Sequence, residues 1–385
     1  MEEERDELFK ELAKYITSDP RRIAVLADII HAMLNSRSMN AGDLAAFIYR
    51  EIDDASIAQM LRRFYKNEHV TWETFYAPLI QEMLKSFPHL IGYIVIDTTD
   101  VGSAHRAVVV SLAYQNRSLP LIWHVEPGVK GHSSEEVQIT LLEKLTQHVT
   151  LKGCIIFLGD SEFSGVSVLK YVSEELNWYY DCRVKPSRYV WVDEETGHPL
   201  ADLVPEQSYK IQRLENVEYT TKHRFTTSIY ACWEPGHKDP LILAYKLPPG
   251  LHPRCQYRVR FWTEPLFGDC KEAGFRLSTT RLQHPERLER LFLACAASYL
   301  WMVSLGAQLI TAGKSKCVDR PHRRTLSIFK TGWRWFKKQI KSKKLVPFSL
   351  VCGSIGIGSF LVFARLPPAL VDGYDWLSYC VHGHN

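Results

Sequence analysis

The stretch from Ile91 to Lys185 constrains the fold more than any other part of the chain, because in it the apolar spacing switches between strand-like and helical in a fixed order. Three apolar runs of strand length come first, IGYIVID, AVVVSLAYQ and LPLIWHVE, with the turn-like Asn116-Arg117-Ser118 between the second and third. A helical stretch, SSEEVQITLLEKLTQHV, leads to the run CIIFLGD, then a second helical stretch, SVLKYVSEEL, and a further strand, WYYDCRVK. The order is βββαβαβ. A meander of three strands followed by alternating helices and strands builds a mixed sheet of the α/β class.

That order is the order of the RNase H-like fold, and the flanking segments attach to it as separate regions. Residues 1–88 are helical throughout, with apolar clusters such as IAVLADIIHAML and DASIAQMLRRF, and with Asp43, Asp54 and Thr71 where N-caps would stand. We divide the rest into 89–185, the first part of the sheet core; 186–250, a β-rich insertion (YVWVD, SYKIQRL, TTSIYACW, LILAYKL); 251–312, the last helices of the core; and 313–385, a basic C-terminal region. The insertion precedes the last core helix.

Two aspartates stand at the ends of apolar strand runs: Asp97 in IVIDTTD and Asp160 in IIFLGDSEF. Side chains at strand ends of a mixed sheet project into the crevice where ligands bind. One such aspartate is most often a turn former or a helix cap. Two, on strands adjacent in this fold, point instead to a metal site. Phosphoryl transfer with two divalent ions needs several carboxylates at one point, since a hard ion such as Mg²⁺ prefers oxygen ligands. The candidates for the third acid are Glu162, Glu264, Asp269 and Glu272, and spacing alone does not choose among them.

The segment from Tyr257 to Lys271 makes the choice by resemblance. Tyr257, Arg260, Glu264 and Lys271 are separated by two, three and six residues, as in the Tyr-Arg-Glu-Lys signature of insertion-sequence transposases of the group numbered four. The resemblance extends to DTTD at 97–100 and GDSEF at 159–163 and covers roughly residues 90–310. It implies a DDE transposase with Asp97, Asp160 and Glu264 as catalytic acids and ligands of Mg²⁺ or Mn²⁺, two ions in number. It also implies that Tyr257, Arg260 and Lys271 contact DNA phosphates near the cleaved bond. Spacings of 3, 4 and 7 would set the four residues on one helical face, although Pro265 makes the helix start or kink there. Implied partners are double-stranded DNA, as transposon ends and target, held by residues 1–88 as a DNA-binding region and by the basic aromatic C-terminal region, and a second copy of the chain synapsed on it. The alternatives are an RNase H-like nuclease without strand transfer, and a transposase-derived DNA-binding protein that no longer cuts.

Cysteine usage fits a reducing cytoplasm, which the resemblance implies is of bacterial type. The nine cysteines are scattered and form no C-x-x-C pair, and the start MEEERDELFKEL has neither the basic residues nor the apolar stretch of an export signal. Net charge is only +4, but between Lys314 and Lys344 twelve Lys or Arg face a single acid, Asp319, interleaved with Phe329, Trp333, Trp335 and Phe336. That stripe reads equally as a phosphate-binding surface or as a solvated helix face. Arg21, Arg22, Arg62, Arg63 and Lys66 have the same two readings. The uncharged runs Leu291–Gly313 and Leu345–Ala364 are interrupted by polar residues, glycines and a proline, and we read them as buried core with no membrane role. His382 and His384, in the unassigned tail, read as solvated.

Overall fold

A computed structural model describes residues 2–87, 91–128, 131–191, 196–205, 210–233 and 236–352, so His382, His384 and most of the tail lie outside the described residues. The chain opens with α1 (Glu2–Ala13), α2 (Pro20–Ser36), α3 (Ala41–Ala45), α4 (Asp54–Lys66), α5 (Trp72–Phe75) and α6 (Ala77–Leu84). Four short polar side chains start these helices: Asp19, Asn40, Asp53 and Thr71 accept the backbone N–H groups of Arg21, Gly42, Ser56 and Thr74. Thr71 is a cap, as its place in the sequence predicts. Asn40 replaces Asp43 and Asp53 replaces Asp54, because in both cases the earlier side chain reaches a first-turn N–H that has no helical partner.

The next seven elements are β1 (Ile91–Val101), β2 (His105–Tyr114), β3 (Arg117–Pro127), α7 (Glu135–His148), β4 (Cys154–Gly159), α8 (Val166–Lys170, extended by a π-helical turn) and β5 (Tyr179–Arg183). They realise the βββαβαβ order. The hairpin between β2 and β3 turns on Gln115 and Asn116, with φ of 53° and 57°, so the turn lies one residue before the expected position. Such left-handed backbone suits Asn. Residues 186–250 contribute β6 (Tyr189–Trp191), β7 (Gly197–Pro199), β8 (Ile211–Tyr219), β9 (Phe225–Cys232) and β10 (Leu241–Lys246). All ten described strands join one sheet, in the order β3-β2-β1-β4-β5-β10-β9-β8-β6-β7. β4 runs parallel to β1 and to β5, while β2 and β10 are antiparallel to their neighbours.

Then follow α9 (Pro253–Tyr257), a 3-10 turn (Arg258–Trp262), α10 (Thr263–Cys270), α11 (Pro285–Thr311) and α12 (Ile328–Lys341). α11 is the spine of the core and packs on α2, α4, β3 and α12. By length and composition it is apolar enough to cross a membrane, yet 89% of its most apolar window is buried inside the fold. Its apolar surface is covered by protein on several sides, which explains a helix that is hydrophobic all round.

The contact between α11 and α12 is set by two glycines. A Cβ at Gly332 would lie 1.9 Å from the Met302 carbonyl oxygen, and one at Gly306 would lie 1.9 Å from that of Ile328. The helices touch backbone to backbone, and neither oxygen can rotate away. We therefore expect Gly332→Ala to cost about 1–3 kcal/mol by forcing the helices apart. Chemical denaturation checks this, and an unchanged midpoint would show that α12 is docked more loosely than described.

Candidate active site

β1 and β4 pair in parallel register up to Val95 opposite Leu158. Asp97 stands two residues further along β1 and Asp160 two residues beyond Leu158, just past the end of β4, so the register brings the two aspartates to the same level. The expectation that Asp97 ends its strand needs correction. β1 continues to Val101 because β2 still pairs with it there, and Asp97 instead stands two residues beyond Val95, the last residue paired with β4. Asp160 begins the turn after β4, its Oδ1 accepting the Glu162 N–H at 2.8 Å, so it is a turn former as well as a candidate ligand.

Asp97 is held by three donors. Its Oδ2 accepts from Arg260 Nη1 at 3.0 Å and from Thr263 Oγ1 at 2.9 Å, and its Oδ1 accepts the Thr98 N–H at 2.9 Å. Burial pushes its carboxyl above the ordinary aspartate range; Arg260 and the hydrogen bonds oppose that push, and the charge of Asp160 adds to it. Arg260 feels both aspartates, and its guanidinium lies over the Phe261 ring at 4.6 Å and the Tyr257 ring at 5.7 Å. A cation thus already balances the aspartate pair, and it belongs to the protein.

The segment carrying the other expected residues is not one helix. A 3-10 turn over Arg258–Trp262 separates α9 from α10, and Pro265 falls in the first turn of α10, where its missing N–H breaks no helical bond. The four residues therefore do not share a face. Tyr257 is 3% exposed and packs with Tyr230, Cys232 and Leu243, so in this arrangement it supports Arg260 and offers no surface to a phosphate. Glu264 stands exposed in the first turn of α10, with the favourable end of the helix dipole beside it. Lys271 closes α10 and places its Nζ 3.7 Å from Asp100 Oδ2, the second aspartate of DTTD.

The pair Asp97 and Asp160 supplies oxygen donors of the kind a hard divalent ion prefers. As placed, the three acids do not make a ligand set. Asp97 is occupied by Arg260, Glu264 is turned to solvent, and among the described residues no three His, Cys, Asp or Glu side chains stand close enough to hold a metal ion.

Other acids have separate partners. Glu162 accepts from the Ser133 backbone N–H and hydroxyl at 2.7 and 3.0 Å, tying the loop after β4 to the start of α7. Glu272 accepts from the Ser278 hydroxyl. Asp269 is 3% exposed and forms an ion pair with Arg117 at 3.3 Å, which fastens α10 to β3. Burial raises its carboxyl to about 6, against the pull of Arg117 and Lys330.

Two further residues escape the sequence reading. Thr263 holds Asp97 from the position before Glu264, and its only sequence signal is that adjacency. Asp181, fully buried on β5 under α9, has its carboxyl pushed well above the ordinary range by burial, with the Tyr257 backbone N–H beside it. Its place in the apolar strand YYDCR marks it as a polar residue in the core.

A cleft of about 450 Å³ lined by Trp72, Glu73, His124, Lys144, Glu289 and Arg290 shares no residue with this site. Its charges pair with one another, Lys144 with Glu73 at 2.7 Å and His124 with Glu289 at 2.9 Å. All cysteines among the described residues are free thiols.

Fold and site together define a mixed α/β protein in which two aspartates, one on β1 and one just after the adjacent parallel β4, lie beside an arginine. No family model and no curated protein sequence matches the chain. Among solved structures it is similar to a chain of a piggyBac transposase synaptic complex with hairpin DNA, determined by cryo-EM, with a TM-score of 0.44 and 9% identity over 98% of this chain and 85% of that one. A likeness at that score is one of coarse outline, and the functional reading rests on the residues.

Proposed function

We propose that the protein is a DNA transposase with an RNase H-like core, which cuts at transposon ends and joins the freed 3′-hydroxyl to a second phosphodiester. The observation that carries this reading is the level pair Asp97 and Asp160 beside Arg260, in a chain that also bears the complete Tyr257, Arg260, Glu264, Lys271 spacing. Asp97, Asp160 and Glu264 are the residues that would hold Mg²⁺ or Mn²⁺, with Arg260 released from Asp97 and Glu264 turned inward. Bound ions would supply an activated water and stabilise the leaving oxygen.

The chain's own residues contribute positioning and charge. Arg260 carries a planar donor fork suited to a phosphate, and a phosphate that engages it offers the guanidinium a partner in place of Asp97. Lys271 brings a compact positive charge to the same rim, next to Asp100. Thr263 keeps Asp97 oriented when Arg260 leaves. Tyr257 and Phe261 form an aromatic wall against the guanidinium, along which it would move on release. Two copies synapsed on DNA would bring two ends together.

The test is cleavage and joining of a duplex carrying the sequences that flank the gene, with Mg²⁺, comparing the intact protein with Glu264→Gln. We expect 3′-hydroxyl ends and joined products from the intact protein, and binding without either from the variant. Cut ends that are never joined would favour a nuclease. Equal binding with no cutting under any divalent ion would leave a DNA-binding relic and end the enzyme reading.

A further inference from the structure

We propose that the exposed face of α12 and the α10–α11 loop together form one track for the phosphate backbone of duplex DNA, leading away from the Asp97 site. This rests on the DNA-processing reading above and specifies where the duplex runs. The sequence alone leaves the basic stripe undecided between a binding surface and a solvated face; the packing around one tryptophan decides it.

α12 buries Ile328, Phe329, Trp333 and Phe336 and turns Lys330, Arg334, Lys337, Lys338 and Lys341 outward. Trp333 is the joint. Its ring stacks on Phe275 of the α10–α11 loop at 5.2 Å, and its Nε1 donates to the Leu34 carbonyl of α2 at 2.9 Å. Two cations lie over the same ring, Arg37 at 5.4 Å and Lys337 at 5.1 Å, and Arg37 also donates to the Ala273 carbonyl at 3.2 Å. The loop so held runs from Lys271 to Arg276, which is exposed.

Cations thus mark a path from Lys271 at the rim of the site, past Arg276 and the Arg37–Lys337 pair on Trp333, to Arg334, Lys338 and Lys341 on α12, with Glu272 the acid within the loop. Burial and the nearby charge of Arg37 lower the affinity of Lys337 for its proton, as expected for two cations kept together without an anion. The ion pairs formed among the described residues involve neither Arg37 nor Arg276 nor these α12 side chains. Beyond Lys271, which pairs with Asp100, a row of cations outside these ion pairs and fixed on packed elements matches a polyanion of regular charge spacing. An anionic membrane fits less well, because the apolar face that would enter it is already buried against α11.

The experiment is the salt dependence of binding to a 40-base-pair duplex of arbitrary sequence, read by fluorescence anisotropy. Three proteins are compared: the wild type, Lys337→Gln with Lys338→Gln and Lys341→Gln, and Lys10→Gln with Lys14→Gln and Lys85→Gln, a control with the same charge change on exposed lysines already paired with Glu7, Glu11 and Glu82. Losing three phosphate contacts should reduce the slope of log K against log salt by roughly 2–3. We expect that reduction in the α12 variant and an unchanged slope in the control. Equal slopes for wild type and α12 variant, or equal losses in both variants, would overturn the track while leaving DNA binding intact. Loss of binding to phosphatidylserine vesicles by the α12 variant, with DNA binding unchanged, would also overturn it. If the wild type binds no duplex at any salt, the DNA reading itself fails.

Discussion

Asp97→Asn should lower the rate of end cleavage by on the order of 10³-fold or more while the chain stays folded. Burial already disfavours the charge of Asp97, so removing it relieves a desolvation cost even as Arg260 loses its strongest acceptor. The amide keeps the volume of the side chain and an oxygen for Thr263. Single-turnover cleavage and circular dichroism separate the two effects. A variant that cuts within tenfold of wild type would remove Asp97 from the chemistry, and one that unfolds would make it structural.

Arg117→Met should be the largest destabilisation by a single change at this end of the sheet, roughly 3 kcal/mol at pH 7.5. Arg117 is the ion-pair partner of Asp269, and removing it leaves a carboxylate buried in the contact between β3 and α10. The cost depends on pH with a definite sign. Asp269 has its folded pKa raised to about 6 from an ordinary 3.8. Its contribution to stability is therefore fully present below about pH 4 and is lost as pH rises through 6, by about 3 kcal/mol at 1.36 kcal/mol per unit. At pH 5 Asp269 is mostly protonated, and the Arg117→Met penalty should fall to about 1 kcal/mol or less. Urea denaturation at the two pH values measures this, with Arg117→Met plus Asp269→Asn expected to recover most of the loss at pH 7.5. A penalty equal at both pH values would mean that packing of the Arg117 stem, not charge, holds α10 to the sheet.

How much of this was legible beforehand depended on the range of the interactions involved. The βββαβαβ order could be read because burial on one or both faces of a strand writes a local period into the chain, and so could Thr71, whose hydroxyl reaches only three residues ahead. Caps went wrong where two acceptors competed, as Asp53 and Asp54 do. The end of β1 was misplaced because pairing with β2 sustains it beyond the last residue paired to β4, a fact about a neighbour and not about IVIDTTD itself.

At the site, Asp97 and Asp160 were visible as acids closing apolar runs. Arg260 could be named but its partner could not, since 163 residues separate it from Asp97. Tyr257 looked available to DNA because a regular helix would display it; the 3-10 turn before Pro265 rotates the segment and buries it. Asp181 could be seen as a polar residue inside the run YYDCR, but its full burial under α9 is set by distant segments. The join between Trp333, Phe275 and Arg37 draws on three distant segments and exists only in the fold.

The central claim is that Asp97, Asp160 and Glu264 act as one centre although Glu264 stands apart from the aspartate pair. Residues that act as a unit are not additive in their kinetic effects. The most direct measurement is therefore the single-turnover cleavage rate, on one duplex carrying the element's ends, of Asp97→Asn, Asp160→Asn, Glu264→Gln and the triple variant. The account predicts that all four fall to the same residual rate. Near wild-type cleavage by Glu264→Gln, with the two aspartate variants inactive, would contradict it and place the third acid elsewhere.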